Sequence, residues 1–168
     1  MSLARLRRLS FLGFVMALAV LLGSVVLEMR IGLLPCPLCQ SQRLFLALYA
    51  LACLGAVLHG PAPSATRRYR LLALACAMAG AALAARHVWL QGEWSPSAEC
   101  PASLAQVLQK PWREVLWQLL VGGPDCVSIT WSFLDLTLPE WSLLAFLLLA
   151  ALPLSRLLAY RFRNLGTG

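Results

Sequence analysis

The feature of this sequence that most constrains its fold is a series of four long apolar segments. The first runs without a charge for long enough to cross a bilayer as one helix. With 60% hydrophobic and 12% charged residues and a mean hydropathy of +0.75, a soluble domain of this length could not bury so much apolar surface. The sequence therefore predicts an all-α membrane protein, a four-transmembrane-helix bundle. We place the helices at about 9–28, 42–60, 69–91 and 141–160, within a single membrane domain covering 1–168.

The basic residues alternate with the acidic ones along the chain. Arginines are grouped before the first apolar segment, between the second and third, and after the fourth, and no acid lies in these groups. A net charge of +7 that is spread in this way follows the positive-inside rule and does not form the single patch that nucleic acid requires. We therefore expect no nucleic-acid partner, cytoplasmic termini, and outward-facing loops at about 29–41 and 92–140. The first segment also has the basic start of a signal peptide, but no A-x-A site follows it, so we expect it to be retained.

The long second loop is expected to lie low on the membrane. All six tryptophans fall at or within this outward region, and tryptophan favours the headgroup layer. Apolar residues recur there at helical spacing: Leu104, Val107, Leu108, Trp112, Val115, Leu116 and Leu119. The pattern predicts a short amphipathic helix that Pro111 splits in two, lying either in the interface or against the bundle.

The six cysteines fall into two groups. Two lie inside predicted spans, where buried cysteine acts as a small hydrophobe. The other four lie in the outward loops: Cys36, Cys39, Cys100 and Cys126. An even number of outward cysteines indicates disulfide chemistry, and their spacing is a poor match to a structural zinc site. Two structural disulfides remain an alternative, although a Cys-x-x-Cys pair closes too small a loop to restrict the unfolded chain much.

The surroundings of the first pair, "PCPLCQSQR", favour redox cycling. Pro37 suits the first turn of a helix, which would place Cys39 where the helix dipole favours a thiolate. Arg43 follows one turn later on the same face and offers a fixed positive charge, although without the neighbouring cysteines it would be interpreted as an arginine that snorkels to the interface. A thiolate at the edge of the bilayer would be accessible to a lipid-soluble oxidant.

Three motifs carry a resemblance to a known family. These are "PCPLCQSQR", "RHVWLQGEWSPSAEC", and "GGPDC" followed by "WSFLDLTLPEW". Together with the four spans and two outward loops, they resemble the bacterial inner-membrane disulfide bond formation protein DsbB family over nearly the whole chain.

The resemblance implies a membrane enzyme, a protein-dithiol:quinone oxidoreductase in the inner membrane, that relays two electrons. A periplasmic DsbA-like thiol oxidase would attack the Cys100–Cys126 disulfide at Cys100. The resulting dithiol would reduce Cys36–Cys39, and Cys39 would pass the electrons to a membrane quinone, ubiquinone or menaquinone, with Arg43 stabilising the thiolate and the quinone oxygen.

Three further residues match quinone-contacting or neighbouring positions of the family. They are His87 at the outer end of the third helix, Gln91 one turn later, and Leu138 before the fourth helix. Without the resemblance, His87 would be interpreted as an interfacial histidine. We expect the lipid bilayer, the DsbA-like oxidase and quinone as partners, no metal, and a monomer.

Two other functions compete with this interpretation. A quinone reductase of the vitamin K epoxide reductase type runs similar chemistry, but it would have its Cys-x-x-Cys late and its loop cysteines early, the reverse of the order here. A membrane scaffold stapled by two disulfides would keep its cysteines oxidised, whereas those of a relay would turn over.

Overall fold

The computed structural model describes residues 3–32, 36–59, 63–92, 104–122 and 132–165. Cys100 and Cys126 therefore lie outside the described residues, as does much of the second loop. The described chain forms six helices and one small hairpin: α1 (Leu3–Ile31), α2 (Pro37–Leu58), α3 (Pro63–Gly92), α4 (Leu104–Leu108), α5 (Trp112–Val121), β1 (Ser132–Phe133), β2 (Leu136–Thr137) and α6 (Leu138–Leu165).

Four of these helices are long and apolar enough to cross a membrane. The qualifying stretches are Arg7–Arg30, Pro37–Leu58, Ala65–Gln91 and Leu138–Ser155. The chain is therefore a multi-pass membrane protein built on a four-helix bundle, which confirms the predicted fold class.

All four long helices begin earlier than we predicted, and in three of them a proline lies in the first turn. Pro37 and Pro63 are the first residues of α2 and α3, and Pro139 is the second residue of α6. Proline is well suited to a first helical turn, because its fixed φ is helical and its missing N–H would have had no helical acceptor. Hydropathy alone does not detect these first turns, because they include polar residues.

The bundle is closed by packing on three of its sides. Helix α2 packs against α1 and α3, and α3 packs against α6, whereas α1 and α6 touch only slightly. The core contains many alanines around the large buried side chains of Tyr49, Phe146 and Leu149. Small residues allow helix backbones to approach closely, which drives helix association in lipid. Because α1 and α6 touch only slightly, the gap between them is the least closed side of the bundle.

The second loop contains two short helices separated at Pro111, as predicted. Helix α5 packs against α2, where the Ser41 hydroxyl donates a 2.7 Å hydrogen bond to the carbonyl of Leu119. Its opposite side exposes Trp112, Leu116, Trp117 and Leu120. The structure thus shows the arrangement packed against the bundle, and the exposed apolar face is of a kind that suits the membrane interface.

A hairpin that we did not predict leads directly into α6. Ser132 pairs with Thr137 and Phe133 with Leu136, and the turn places Leu134 at φ +54° and Asp135 at φ +60°. Two positive φ values are typical of a two-residue type I′ turn, which favours Asn-Gly. The sequence Leu-Asp gives no such signal.

Candidate active site

The first cysteine pair forms a dithiol at the beginning of α2. Cys36 is the N-cap residue, and Cys39 lies in the first turn, as predicted. The two sulfur atoms lie 3.1 Å apart, with the Cys36 thiol donating to the Cys39 sulfur, and the backbone N–H of Cys39 donates to the Cys36 sulfur over 3.4 Å. The thiol donor and the helix N-terminus both favour negative charge on Cys39.

His87 lies against both sulfurs from the neighbouring helix α3. Its Nε2 is 3.8 Å from the Cys36 sulfur and its Nδ1 is 3.9 Å from the Cys39 sulfur, and the side chain is only 5% exposed. A neutral imidazole carries one N–H donor and one acceptor nitrogen. His87 is therefore placed to exchange a proton with the dithiol.

Arg43 is held by α1. Its guanidinium forms an ion pair with Glu28 and donates a 3.0 Å hydrogen bond to the carbonyl of Ser24. Glu28 stands at the end of the first apolar segment in the sequence, and the structure directs its carboxylate to Arg43. The contact requires α1 and α2 to be packed side by side, which the sequence around Glu28 does not reveal.

A cavity of about 480 Å³ opens beside the dithiol, at the end of the bundle where α1 and α3 finish and α2 and α6 begin. Its walls are mostly apolar and include the aromatic rings of Phe133, Trp141 and Phe146. The polar or ionisable side chains in the lining are Ser24, Glu28, Cys39, Gln42, Arg43, His87, Trp141 and Ser142. Cys39 lines the cavity, whereas Cys36 is not part of the lining and is only 6% exposed.

The structure brings most of the candidate site residues together. Arg43, His87 and Leu138 all line the cavity with Cys39. Gln91 is not part of the lining, and its side-chain oxygen accepts a 2.9 Å hydrogen bond from the hydroxyl of Thr137. The predicted Cys100–Cys126 pair falls outside the described residues.

Sequence reasoning missed several lining residues, of which Gln42 and Ser142 are the most informative. The Ser142 hydroxyl donates a 2.8 Å hydrogen bond to Oε1 of Gln42, although the two residues are 100 positions apart. The spacing of Gln42 from Cys39, three residues along a helix, was the available signal, because residues so spaced share a face.

Cys36, Cys39 and His87 also form a set of donors that a soft metal ion could use, since their ligand atoms all lie within 4.8 Å of one another. Two thiolates on one tetrahedral zinc, with Zn–S bonds of about 2.3 Å, would have their sulfurs about 3.8 Å apart. The observed separation of the two sulfurs, 3.1 Å, is shorter than that.

The fold and the site together define a multi-pass membrane protein with a dithiol beside an apolar cavity. The family model described as Disulfide bond formation protein DsbB matches residues 6–155. The chain belongs to this family of membrane disulfide bond formation proteins.

Curated relatives agree with the family assignment. The chain is 60% identical over 163 residues to Disulfide bond formation protein B 2 of Pseudomonas putida, an alignment that covers 97% of each chain. It is 41% identical to Disulfide bond formation protein B 1 of Pseudomonas aeruginosa, over 87% of this chain and 91% of the relative. It is 39% identical to Disulfide bond formation protein B of Methylococcus capsulatus, over 92% and 95% of the two chains.

Proposed function

We propose that this protein reoxidises a periplasmic DsbA-like thiol oxidase and passes the two electrons to a membrane quinone, either ubiquinone or menaquinone. The observation that carries the proposal is the Cys36–Cys39 dithiol, in which the Cys39 sulfur lines a mostly apolar cavity. A thiol pair that only stapled the fold would gain nothing from such an opening.

The cavity suits a quinone in size, lining and access. Its volume of about 480 Å³ lies within the range of about 300–1,000 Å³ that is typical of small-molecule sites. It lies on the least closed side of the bundle, between α1 and α6, so a lipid-soluble molecule could enter from the bilayer. When bound, a quinone supplies an acceptor for two electrons and two protons.

The residues around the cavity have distinct tasks in this reaction. Cys36 stabilises the Cys39 sulfur as the reactive thiolate by donating its S–H. As the dithiol gives up two electrons, the Cys36–Cys39 bond forms and the remaining thiol proton leaves, with His87 as its nearby acceptor. Arg43 provides a positive charge in the cavity wall, where negative charge develops on the accepting molecule.

The second cysteine pair connects this site to the partner. The partner's thiolate attacks Cys100, so that a mixed disulfide forms and Cys126 leaves as a thiolate. The partner's other thiol then resolves the mixed disulfide, which leaves the partner oxidised and Cys100 and Cys126 reduced. Two further exchanges transfer these electrons to Cys36–Cys39, and every step exchanges one disulfide for another.

The orientation in the membrane follows from the charges. The beginning of α1, the α2–α3 connection and the end of α6 share the end of the bundle opposite the cavity, and the arginine groups lie there. The positive-inside rule assigns that end to the cytoplasm of a bacterial inner membrane. The dithiol is then on the periplasmic side, where disulfides persist.

The test is quinone reduction by the purified protein in detergent, with a reduced DsbA-like partner as electron donor. We expect the wild type to reduce ubiquinone-1 or menadione, and both Cys39→Ser and Cys100→Ser to abolish the reduction. Cys76→Ser is the matched control, because Cys76 lies within α3 and outside the cavity lining, and it should retain the wild-type rate.

Two outcomes would contradict the relay. If the wild type reduces neither quinone while its four outward cysteines stay oxidised, the protein is a disulfide-stapled scaffold. If Cys100→Ser retains the full rate with the protein partner, electrons reach Cys39 without the second pair.

A further inference from the structure

One buried polar group in the cavity wall has an unused hydrogen-bond donor. Gln42 is 6% exposed and lines the cavity on the same face of α2 as Cys39. Its Oε1 is occupied by the Ser142 hydroxyl at 2.8 Å. Its Nε2 is buried and has no hydrogen-bond partner among the residues that the structure describes.

An unpaired buried amide is costly, because the group loses its hydrogen bonds to water and gains none in return. Among the described residues the only other unpaired buried side-chain atom is Oε1 of Gln118, which is not part of the cavity lining. Gln42 differs because the residue that carries the free donor lines a cavity large enough for a ligand. A ligand with an acceptor oxygen would satisfy it.

We propose that Nε2 of Gln42 donates a hydrogen bond to a ring carbonyl of the quinone, and that Ser142 orients the amide for this contact. The inference rests on the proposed function and extends it by adding a quinone-binding residue. A quinone ring carries carbonyl oxygens that accept hydrogen bonds, which is the chemistry that an N–H donor recognises.

The spacing of Gln42 from Cys39 gives this contact a role in the reaction. Residues three positions apart on a helix are neighbours, so a carbonyl held by Gln42 keeps the quinone ring beside the Cys39 sulfur. The hydrogen bond draws electron density from the ring while the dithiol becomes a disulfide and the quinone becomes a quinol. Gln42 gives up no proton, and the balance of two electrons and two protons is unchanged.

The Ser142 hydroxyl acts as a positioning group. By donating to Oε1, it directs the amide so that the N–H groups are the ones left for the ligand. We expect Ser142→Ala to weaken quinone binding less than loss of the amide itself, because the amide remains but can rotate.

The experiment measures ubiquinone-1 binding to the oxidised protein by equilibrium dialysis, since the oxidised cysteines cannot reduce the ligand. Gln42→Met keeps the length and burial of the side chain but removes the donor. We expect it to raise the Kd about tenfold, which corresponds to about 1.4 kcal/mol, and Ser142→Ala to raise it about threefold. In turnover, Gln42→Met should raise the KM for ubiquinone-1 while the KM for the protein partner stays within about twofold of wild type.

Gln118→Met is the matched control, because it removes the other glutamine that has an unpaired buried atom but lies outside the cavity lining. It should leave the Kd unchanged. The inference would be overturned if Gln42→Met bound ubiquinone-1 with the wild-type Kd, or if both methionine variants lost the same amount of affinity. If the wild type itself binds neither ubiquinone-1 nor menadione, that result would instead overturn the proposed function.

A second variant keeps the test available if Gln42→Met does not fold. In Gln42→Glu only the protonated carboxyl can donate, so its Kd relative to wild type should rise with pH. The Kd of the variant is divided by the wild-type Kd at each pH. Any effect on quinone binding of the charged and titratable groups that line the same cavity, Glu28, Arg43 and His87, is then common to both proteins. A ratio that does not change with pH would refute the hydrogen bond.

Discussion

Replacing Gly80 with alanine should test the close approach of α3 and α6 beneath the cavity. A Cβ at this position would lie 2.2, 2.4 and 2.6 Å from three ring carbons of Phe146. Carbon atoms pack at about 3.5–4.0 Å, so the ring or the helix must move by more than about 1 Å. Phe146 is 2% exposed and packed in the core, so moving either the ring or the helix costs free energy.

The magnitude follows from the cost of overpacking a core. Extra methyl groups in well-packed interiors cost about 1–3 kcal/mol, and contact with three ring atoms places this substitution at about 2–3 kcal/mol. At about 2–4 °C per kcal/mol for a chain of this length, the melting temperature in detergent should fall by about 4–12 °C. Because Phe146 also lines the cavity, a displaced ring should raise the Kd for ubiquinone-1 as well.

The control is Gly23→Ala, a helical glycine of α1 that also lines the cavity but whose added Cβ meets nothing within 4 Å. Alanine is the better helix former by up to about 1 kcal/mol, so this variant should melt at or above the wild-type temperature. The assay is thermal unfolding of both variants in the same detergent, with Gly80→Ala/Phe146→Leu as a rescue. If Gly80→Ala melts like Gly23→Ala, or if the shortened side chain at 146 rescues nothing, the steric argument is refuted.

Three further substitutions test other contacts. Tyr49→Phe removes a buried 3.0 Å hydrogen bond to a backbone carbonyl of α6 and should destabilise the protein by about 1–2 kcal/mol in thermal unfolding; an unchanged melting temperature would contradict this. Ser41→Ala removes the bond to the carbonyl of Leu119, so amide exchange in α5 should accelerate while exchange in α2 does not change. Leu134→Asn places a residue that tolerates positive φ in the hairpin turn and should stabilise the protein by up to about 1 kcal/mol, because the 72% exposed leucine contributes little packing; a lower melting temperature would argue against backbone strain there.

The parts of this structure that could be predicted from the sequence are those with local causes. Hydropathy over about twenty residues is enough to identify a span, and Pro111 is enough to divide the amphipathic segment. The placement of Cys39 in a first helical turn also follows from Pro37 alone. None of these features depends on how the helices pack.

The features that could not be predicted join residues that are far apart in the sequence. The distances from His87 to the two sulfurs, the Glu28–Arg43 pair and the Gln42–Ser142 contact all depend on which helix faces lie together. In an almost uniformly apolar span, the hydrophobic pattern does not indicate the buried face, because lipid and core are equally apolar. The hairpin was missed for another reason, since Leu134 lacks the turn chemistry that would signal a positive φ.

The contacts of Arg43 change how charge at the site should be understood. From the sequence and the family resemblance, Arg43 is expected to stabilise both the Cys39 thiolate, as a positive charge one turn away, and the quinone oxygen. In the structure its charge is offset by Glu28 and its orientation is fixed by the carbonyl of Ser24. The nearest stabilising groups for the Cys39 sulfur are instead the Cys36 thiol at 3.1 Å and His87 at 3.9 Å. Since a Cys36–Cys39 disulfide leaves no thiol to donate, the contribution of the Cys36 thiol exists only in the reduced form, whereas His87 and the cation in the cavity wall remain in both forms.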